Sequence, residues 1–219
     1  MEVIKKAYHI QVYEILKEQI IRGELLPGER ILINKVSEQL NVSGSPVREA
    51  LRILEQDELV ISNSSGFAVN PMDFNDMKQL YECRMALEPF AARLATKNIG
   101  DKDLDRLKYL IKEAKKSHEL EEYEQVIKYN TEFHDIIVQN CDNQKLQNMI
   151  KKTRLLIILA RRAEIESFKR KKDYLAEHDE ILEALISRNG EEAERVLRRH
   201  TIHDLEFYTS VYKENNQAK

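Results

Sequence analysis

Apolar positions recur at helical spacing along most of this chain and alternate in only one short stretch. From Tyr8 to Ile21 the pattern is helical, and Arg22-Gly23-Glu24-Leu25-Leu26-Pro27-Gly28-Glu29 stops it. A short helix over Lys35–Leu40 comes next with Asn34 as its cap, and Asn41-Val42-Ser43-Gly44 reads as a tight turn. Ser45 suits an N-cap, which puts Pro46 at the first helical position, where its missing N–H costs nothing. Val47, Ala50, Leu51 and Leu54 then share the inward face, leaving Ser45, Arg48, Glu49 and Arg52 outside. Leu59-Val60-Ile61-Ser62 and Phe67-Ala68-Val69 are β-rich runs around Asn63-Ser64-Ser65-Gly66, a hairpin signal.

Asn70-Pro71-Met72-Asp73 is the boundary, because proline blocks continuation and Asp73 can cap the next helix. Beyond it the pattern predicts helices near 74–97, 101–118, 121–140, 144–166, 173–188 and 191–213. Gly100, Cys141-Asp142-Asn143 and Asn189-Gly190 mark three of the breaks, and Pro89 should kink the first helix. The expected fold is mainly α. Residues 1–72 form an N-terminal winged helix-turn-helix, and residues 73–219 form a C-terminal antiparallel helical bundle of about six helices.

A short helix presented N-terminus first, with hydroxyls and arginines outward, suits insertion into the major groove of double-stranded DNA. The bland alternative is three helices and a hairpin that merely pack. Charge changes this picture. The net charge is −3, and residues 1–72 hold eight Lys/Arg against ten Asp/Glu. Attraction to DNA must therefore be local, through Arg48, Arg52 and additionally Lys5, Lys6 and Lys35. One such head should bind weakly, which argues for a homodimer on a two-fold operator.

Two cysteines, Cys83 and Cys141, make no CxxC pair and no disulfide framework, as in a reduced cytoplasmic setting. The N-terminus lacks the apolar core of a signal peptide, and the longest apolar run, Leu155–Ala160, is far too short to span a bilayer. No membrane partner is expected.

The candidate chemistry lies in polar residues on apolar stripes. Asn130 and His134 sit one turn apart among Val126, Ile127, Ile137 and Val138. His178 shares a face with Leu175, Ile181, Leu182 and Leu185, and His200 lies among Ala193, Val196, Leu197 and Phe207. Buried polar groups cost a few kcal/mol each unless paired. His178 lies about 16 Å before the Asn189-Gly190 turn and His200 about 15 Å after it at the helical rise, so they face each other in an antiparallel hairpin. His203 overshoots by about a turn and is placed behind the cluster or lining its pocket. Three imidazoles plus one oxygen donor suit a divalent transition metal, zinc first, with nickel or manganese as alternatives. The bland reading of each histidine is a hydrogen-bonded core residue; His9 and His118 read as surface residues.

The motif Pro27-Gly28-Glu29, the Val42-Ser43 turn, Pro46-Val47-Arg48-Glu49-Ala50-Leu51 and the wing glycine Gly66 together resemble the GntR family of bacterial transcription regulators. Residues 8–70 carry this likeness, and the remainder resembles the helical ligand-binding domain of the FadR-like branch, often called FCD. The resemblance implies DNA contacts at Ser43, Ser45, Arg48, Arg52 and the wing Gly66. Family members commonly carry arginines where this chain has Gly44 and Asn34. The branch has a metal site built from Asp or Asn, His four later, and one His from each of the last two helices, which Asn130, His134, His178 and His200 match. Tyr81-Glu82-Cys83-Arg84-Met85-Ala86-Leu87-Glu88-Pro89 resembles the Arg-x-x-Leu-Glu segment whose arginine often reaches the effector. Arg84 is thus a candidate for clamping a carboxylate effector, beside His203. The alternative for Arg84 is an internal salt bridge to Glu88. Arg161, Arg162 and Lys169-Arg170-Lys171-Lys172 read as solvated, with pocket and DNA-backbone roles as their alternatives.

The expected function is a transcription regulator, not an enzyme, whose operator affinity responds to a small carboxylate metabolite at the metal. A pure metal sensor and a domain kept only for dimerisation are alternatives. A metal-dependent enzyme fused to a helix-turn-helix is disfavoured, since no glutamate is obviously placed as a base and Glu-x-x-His pairs are missing.

Overall fold

A computed structural model of the chain describes the backbone of residues 7–167 and 173–217, and the side chains of 7–158 and 174–210. It divides into two units, Met1–Asp73 and Phe74–Lys219.

The first unit begins with α1 (Tyr8–Arg22), which buries Val12, Leu16 and Ile20 at four-residue intervals. Gly23 closes it at φ 74°, and its N–H reaches the Ile20 carbonyl at 3.0 Å. A two-residue strand, β1 (Arg30–Ile31), comes next. Helix α2 (Ile33–Leu40) starts earlier than the Asn34 cap implies. Leu32, still extended after β1, takes the cap position, and its carbonyl accepts the first helical bond from Val36 N at 3.1 Å. Asn41 ends α2 in the left-handed region, which asparagine tolerates.

Helix α3 (Gly44–Gln56) also starts earlier than expected, with Ser43 and not Ser45 at the cap position. Pro46 is consequently the third helical residue rather than the first. It is accommodated because the first four N–H groups of a helix have no partner within it. Val47, Ala50, Leu51 and Leu54 are fully buried, as their spacing requires. Strands β2 (Val60–Asn63) and β3 (Gly66–Val69) form the hairpin around Ser64-Ser65, where Asn63 Oδ1 accepts a bond from Ser65 N at 2.8 Å. Strand β1 adds to the other edge of β3, pairing Arg30 with Ala68 and Ile31 with Phe67. Two residues carry no periodicity, so this strand left no sequence signal.

In the second unit the described residues are helical: α4 (Phe74–Asn98), α5 (Asp101–Glu119), α6 (Tyr123–Gln139), α7 (Gln144–Ser167), α8 (Asp173–Ile186) and α9 (Gly190–Gln217). Helix α4 continues through the buried Pro89. Proline removes the N–H that would bond to the Met85 carbonyl, and Arg198 Nη1 of α9 occupies that carbonyl instead at 2.8 Å. The core joins α4, α5, α6, α8 and α9 through Ala92, Leu107, Phe133, Ile181 and Val196. Helix α7 packs through Leu146 and Ile150 on Ala91 and Cys141.

The turn between α8 and α9 fixes their register. Arg188 takes φ 57° and its guanidinium reaches the Thr96 and Ile99 carbonyls at 3.1 and 2.5 Å, covering the end of α4. Asn189 Oδ1 accepts from Glu192 N at 3.1 Å and caps α9. A Cβ on Gly190 would stand 3.1 Å from the Arg93 carbonyl, closer than an ordinary contact, so this close approach of α9 to α4 favours glycine.

Candidate DNA-reading head and metal centre

Burial of one α3 face decides what the other presents. Ser43, Ser45, Arg48, Glu49 and Arg52 are all exposed, as is Lys35 on α2. Gly66 adopts φ 110° with open space around it, at the tip of the hairpin. Arg30, which sequence reasoning missed, donates from Nη2 to the Ser65 carbonyl and ties the hairpin tip to β1. His9 is half-buried rather than at the surface, with Nδ1 3.4 Å from Glu49. His118 is likewise half-buried, edge-on to Tyr123 and Tyr174.

In the second unit three helices bring the expected cluster together. Asn130 and His134 of α6, His178 of α8 and His200 of α9 are all buried. Ring centroids lie 5.4 Å apart for His134 and His178, 5.3 Å for His134 and His200, and 4.8 Å for His178 and His200. One nitrogen from each ring lies within 4.8 Å of the others, an arrangement that can hold a metal ion. Phe133 stacks on His178 at 4.3 Å and closes one side with hydrocarbon.

Carboxylates stand behind two of the rings. His134 Nδ1 is 3.2 Å from Glu88 Oε2, and His200 Nδ1 is 2.6 Å from Glu177 Oε2. Burial alone would raise the Glu177 carboxyl, but hydrogen bonds from His200 and His203 hold it below its ordinary value. Ionised, it can only accept, so the proton of the His200 ring sits on Nδ1 and Nε2 faces the cluster. His200 Nε2 and Asn130 Oδ1 are buried with no hydrogen-bond partner among the described residues. The converging imidazoles with the unsatisfied His200 Nε2 fit a cation, and Asn130, one turn before His134 on α6, is an oxygen donor on the same face of that helix.

Arg84 shows the salt-bridge arrangement of its two sequence readings. It is buried, with Nε 3.2 Å from Glu88 Oε1 and Nη1 3.0 Å from Asp204 Oδ2. Burial opposes its charge, yet Glu88 and Asp204 more than compensate and raise its pKa. Glu88 therefore links Arg84 to His134, and Asp204 Oδ2 lies 3.6 Å from His200 Nε2. His203 is half-exposed and turns to Glu177, with Nδ1 2.5 Å from Oε1. Glu88, Glu177 and Asp204 were not foreseen as parts of the cluster. Spacing offered two signals: Glu88 lies at i+4 from Arg84, and Asp204 at i+4 from His200. Arg161, Arg162, Lys5, Lys6 and the Lys169-Arg170-Lys171-Lys172 run lie outside the described side chains.

Residues 79–203 match the FCD domain, and residues 9–69 match the bacterial regulatory proteins of the gntR family. The chain belongs to the GntR family, in its FCD branch. YdhC of Bacillus subtilis, an HTH-type transcriptional regulator, is 31% identical over 212 residues, covering 96% of this chain and 95% of that one. The HTH-type transcriptional repressor RspR of Escherichia coli is 25% identical over 207 residues, covering 94% and 91%. The solved structure of E. coli McbR/YncC superposes with a TM-score of 0.81 at 24% identity, covering 95% of this chain and all of that one, and so shows the shared fold. This GntR-family chain is a DNA-binding transcription regulator. No helix among the described residues is long and apolar enough to cross a membrane.

Proposed function

We propose that this regulator holds a divalent metal ion on Asn130, His134, His178 and His200, and that a small carboxylate metabolite binding there adjusts its grip on DNA. The reading rests chiefly on one observation: three buried imidazoles from three helices converge, two of them backed by carboxylates. An N-rich set with one neutral oxygen favours zinc, with nickel or manganese next. When bound, the ion supplies a Lewis-acidic position for a carboxylate oxygen. Arg84 holds Glu88 and thereby orients His134, while Glu177 orients His200 and carries His203.

On the DNA side, Ser43, Ser45, Arg48 and Arg52 enter the major groove and the wing at Gly66 tracks the backbone. Two copies read a two-fold operator. Effector and operator are then coupled through one equilibrium between placements of the paired heads. Elemental analysis of the purified protein, with thermal shifts by small carboxylates before and after chelation, tests the proposal. Metal at one equivalent and a chelator-sensitive shift are expected; a metal-free protein that still answers to the acid would overturn it. The neutral Asn130, a weaker ligand than a carboxylate, favours a second reading in which the domain serves only for dimerisation and no acid shifts the melt.

A further inference from the structure

The hairpin of the first unit has no charge of its own. From Leu59 to Met72 the chain carries no ionisable side chain. The tip, Asn63-Ser64-Ser65-Gly66, offers hydroxyls, an amide and backbone groups, and nothing that would displace a counterion from DNA. A cation nevertheless stands there. Arg30 of β1 pairs with Ala68 of β3, yet its Nη2 donates to the Ser65 carbonyl, three residues nearer the turn. The aliphatic stem thus carries a guanidinium from the sheet edge to the hairpin tip. Asn63 Oδ1 accepts from Ser65 N at 2.8 Å, so both backbone groups of Ser65 are held. Arg30 is exposed and has no carboxylate partner among the described residues, whereas Lys17 and Arg22 of α1 pair with Glu14 and Glu18. Glu29, its neighbour in sequence, accepts from Leu26 N at 2.9 Å instead.

We propose that Arg30 supplies the wing's ionic contact with DNA, its guanidinium binding a backbone phosphate beside the hairpin tip. The proposal rests on the reading above that the wing tracks the backbone, and names the side chain that does so. Arginine suits both tasks, because one N–H of its planar fork can hold the Ser65 carbonyl while the others face a phosphate. Phosphate contacts position a protein without reading sequence. Arg30 therefore adds grip and orientation and leaves base readout to α3.

The test compares the full-length native chain with Arg30→Gln and Arg30→Lys by fluorescence anisotropy on an A·T-rich and a G·C-rich duplex across a salt series. A phosphate contact contributes about 0.9 to the slope of log affinity against log salt. A fourfold rise in salt should therefore weaken each native head about 3.5-fold more than each Arg30→Gln head, equally on both duplexes. Arg30→Lys, which keeps the charge, should keep the native slope. A tip that is merely displaced would leave the slope unmoved, because it carries no charge. An Arg30→Gln slope equal to the native one thus overturns the proposal and reduces Arg30 to a brace for the hairpin. A loss confined to the A·T-rich duplex also overturns it, since that is the mark of insertion into a narrow minor groove. Native binding that does not weaken with salt overturns the reading of the whole DNA-facing head. Melting temperatures within about a degree or two of the native one, as expected for an exposed side chain, report that both variants fold.

Discussion

His200 Nδ1 stands 2.6 Å from Glu177 Oε2, with the histidine on α9 and the glutamate on α8. The contact fixes which nitrogen of His200 faces the cluster. Glu177→Gln keeps the shape but removes the charge and an obligate acceptor. Zinc affinity, measured by competition with a chromophoric chelator, should fall about 10–100-fold. His203→Ala, which removes only the outer partner of Glu177, should fall less.

Metal and stability should be linked. An ion that binds the folded state alone raises stability by about 4 kcal/mol at a free concentration a thousandfold above its dissociation constant. Chelation should therefore lower the melting temperature of the native chain and leave that of His134→Ala unchanged. Asn130→Asp exchanges a neutral oxygen donor for an anionic one and should tighten zinc binding in the same competition assay.

Arg84 is a buried cation held by two buried carboxylates. Arg84→Met removes the guanidinium that pairs with the buried Glu88 and Asp204. Breaking one side of such an arrangement costs about 3–5 kcal/mol. Urea denaturation should show a midpoint shift of that size with an unchanged slope.

Arg48→Ala alters only an exposed side chain, so the melting temperature should hold within about a degree or two. Loss of one phosphate contact would weaken binding to all sequences and lower the salt slope by roughly one. Loss of a base contact would instead relax sequence preference. Mobility shifts on operator and random DNA across a salt series separate the two.

Glu194 of α9 pairs with Arg93 of α4 at 3.2 Å and with Arg198, one turn along its own helix, at 3.1 Å. Desolvation pushes its carboxyl up, but the two arginines prevail and hold it below its ordinary value. Its stabilisation is complete above the ordinary carboxylate range and is lost as pH falls through the lowered folded value. Glu194→Gln should thus cost less than ~1 kcal/mol near neutrality and nothing at strongly acidic pH. Denaturant midpoints at several pH values check this.

The periodicity of apolar residues by itself determined the helices, the hairpin and the inward face of α3. Each is a local pattern, and burial of Val47, Ala50, Leu51 and Leu54 leaves Arg48 and Arg52 nowhere but outside. It also matched the heights of His178 and His200, because a helix has a fixed rise and the Asn189-Gly190 turn sets the origin. Helix starts were less legible: whether Leu32 or Asn34, Ser43 or Ser45 takes a cap position depends on where β1 and the preceding turn release the chain. Only the tertiary structure decided which carboxylates stand behind the imidazoles. Glu88 lies on α4 and reaches His134 on α6, Asp204 meets an arginine far away in sequence, and Arg198 takes over the carbonyl that Pro89 leaves. Such partners are chosen by how helices pack in three dimensions, which spacing along one helix does not encode.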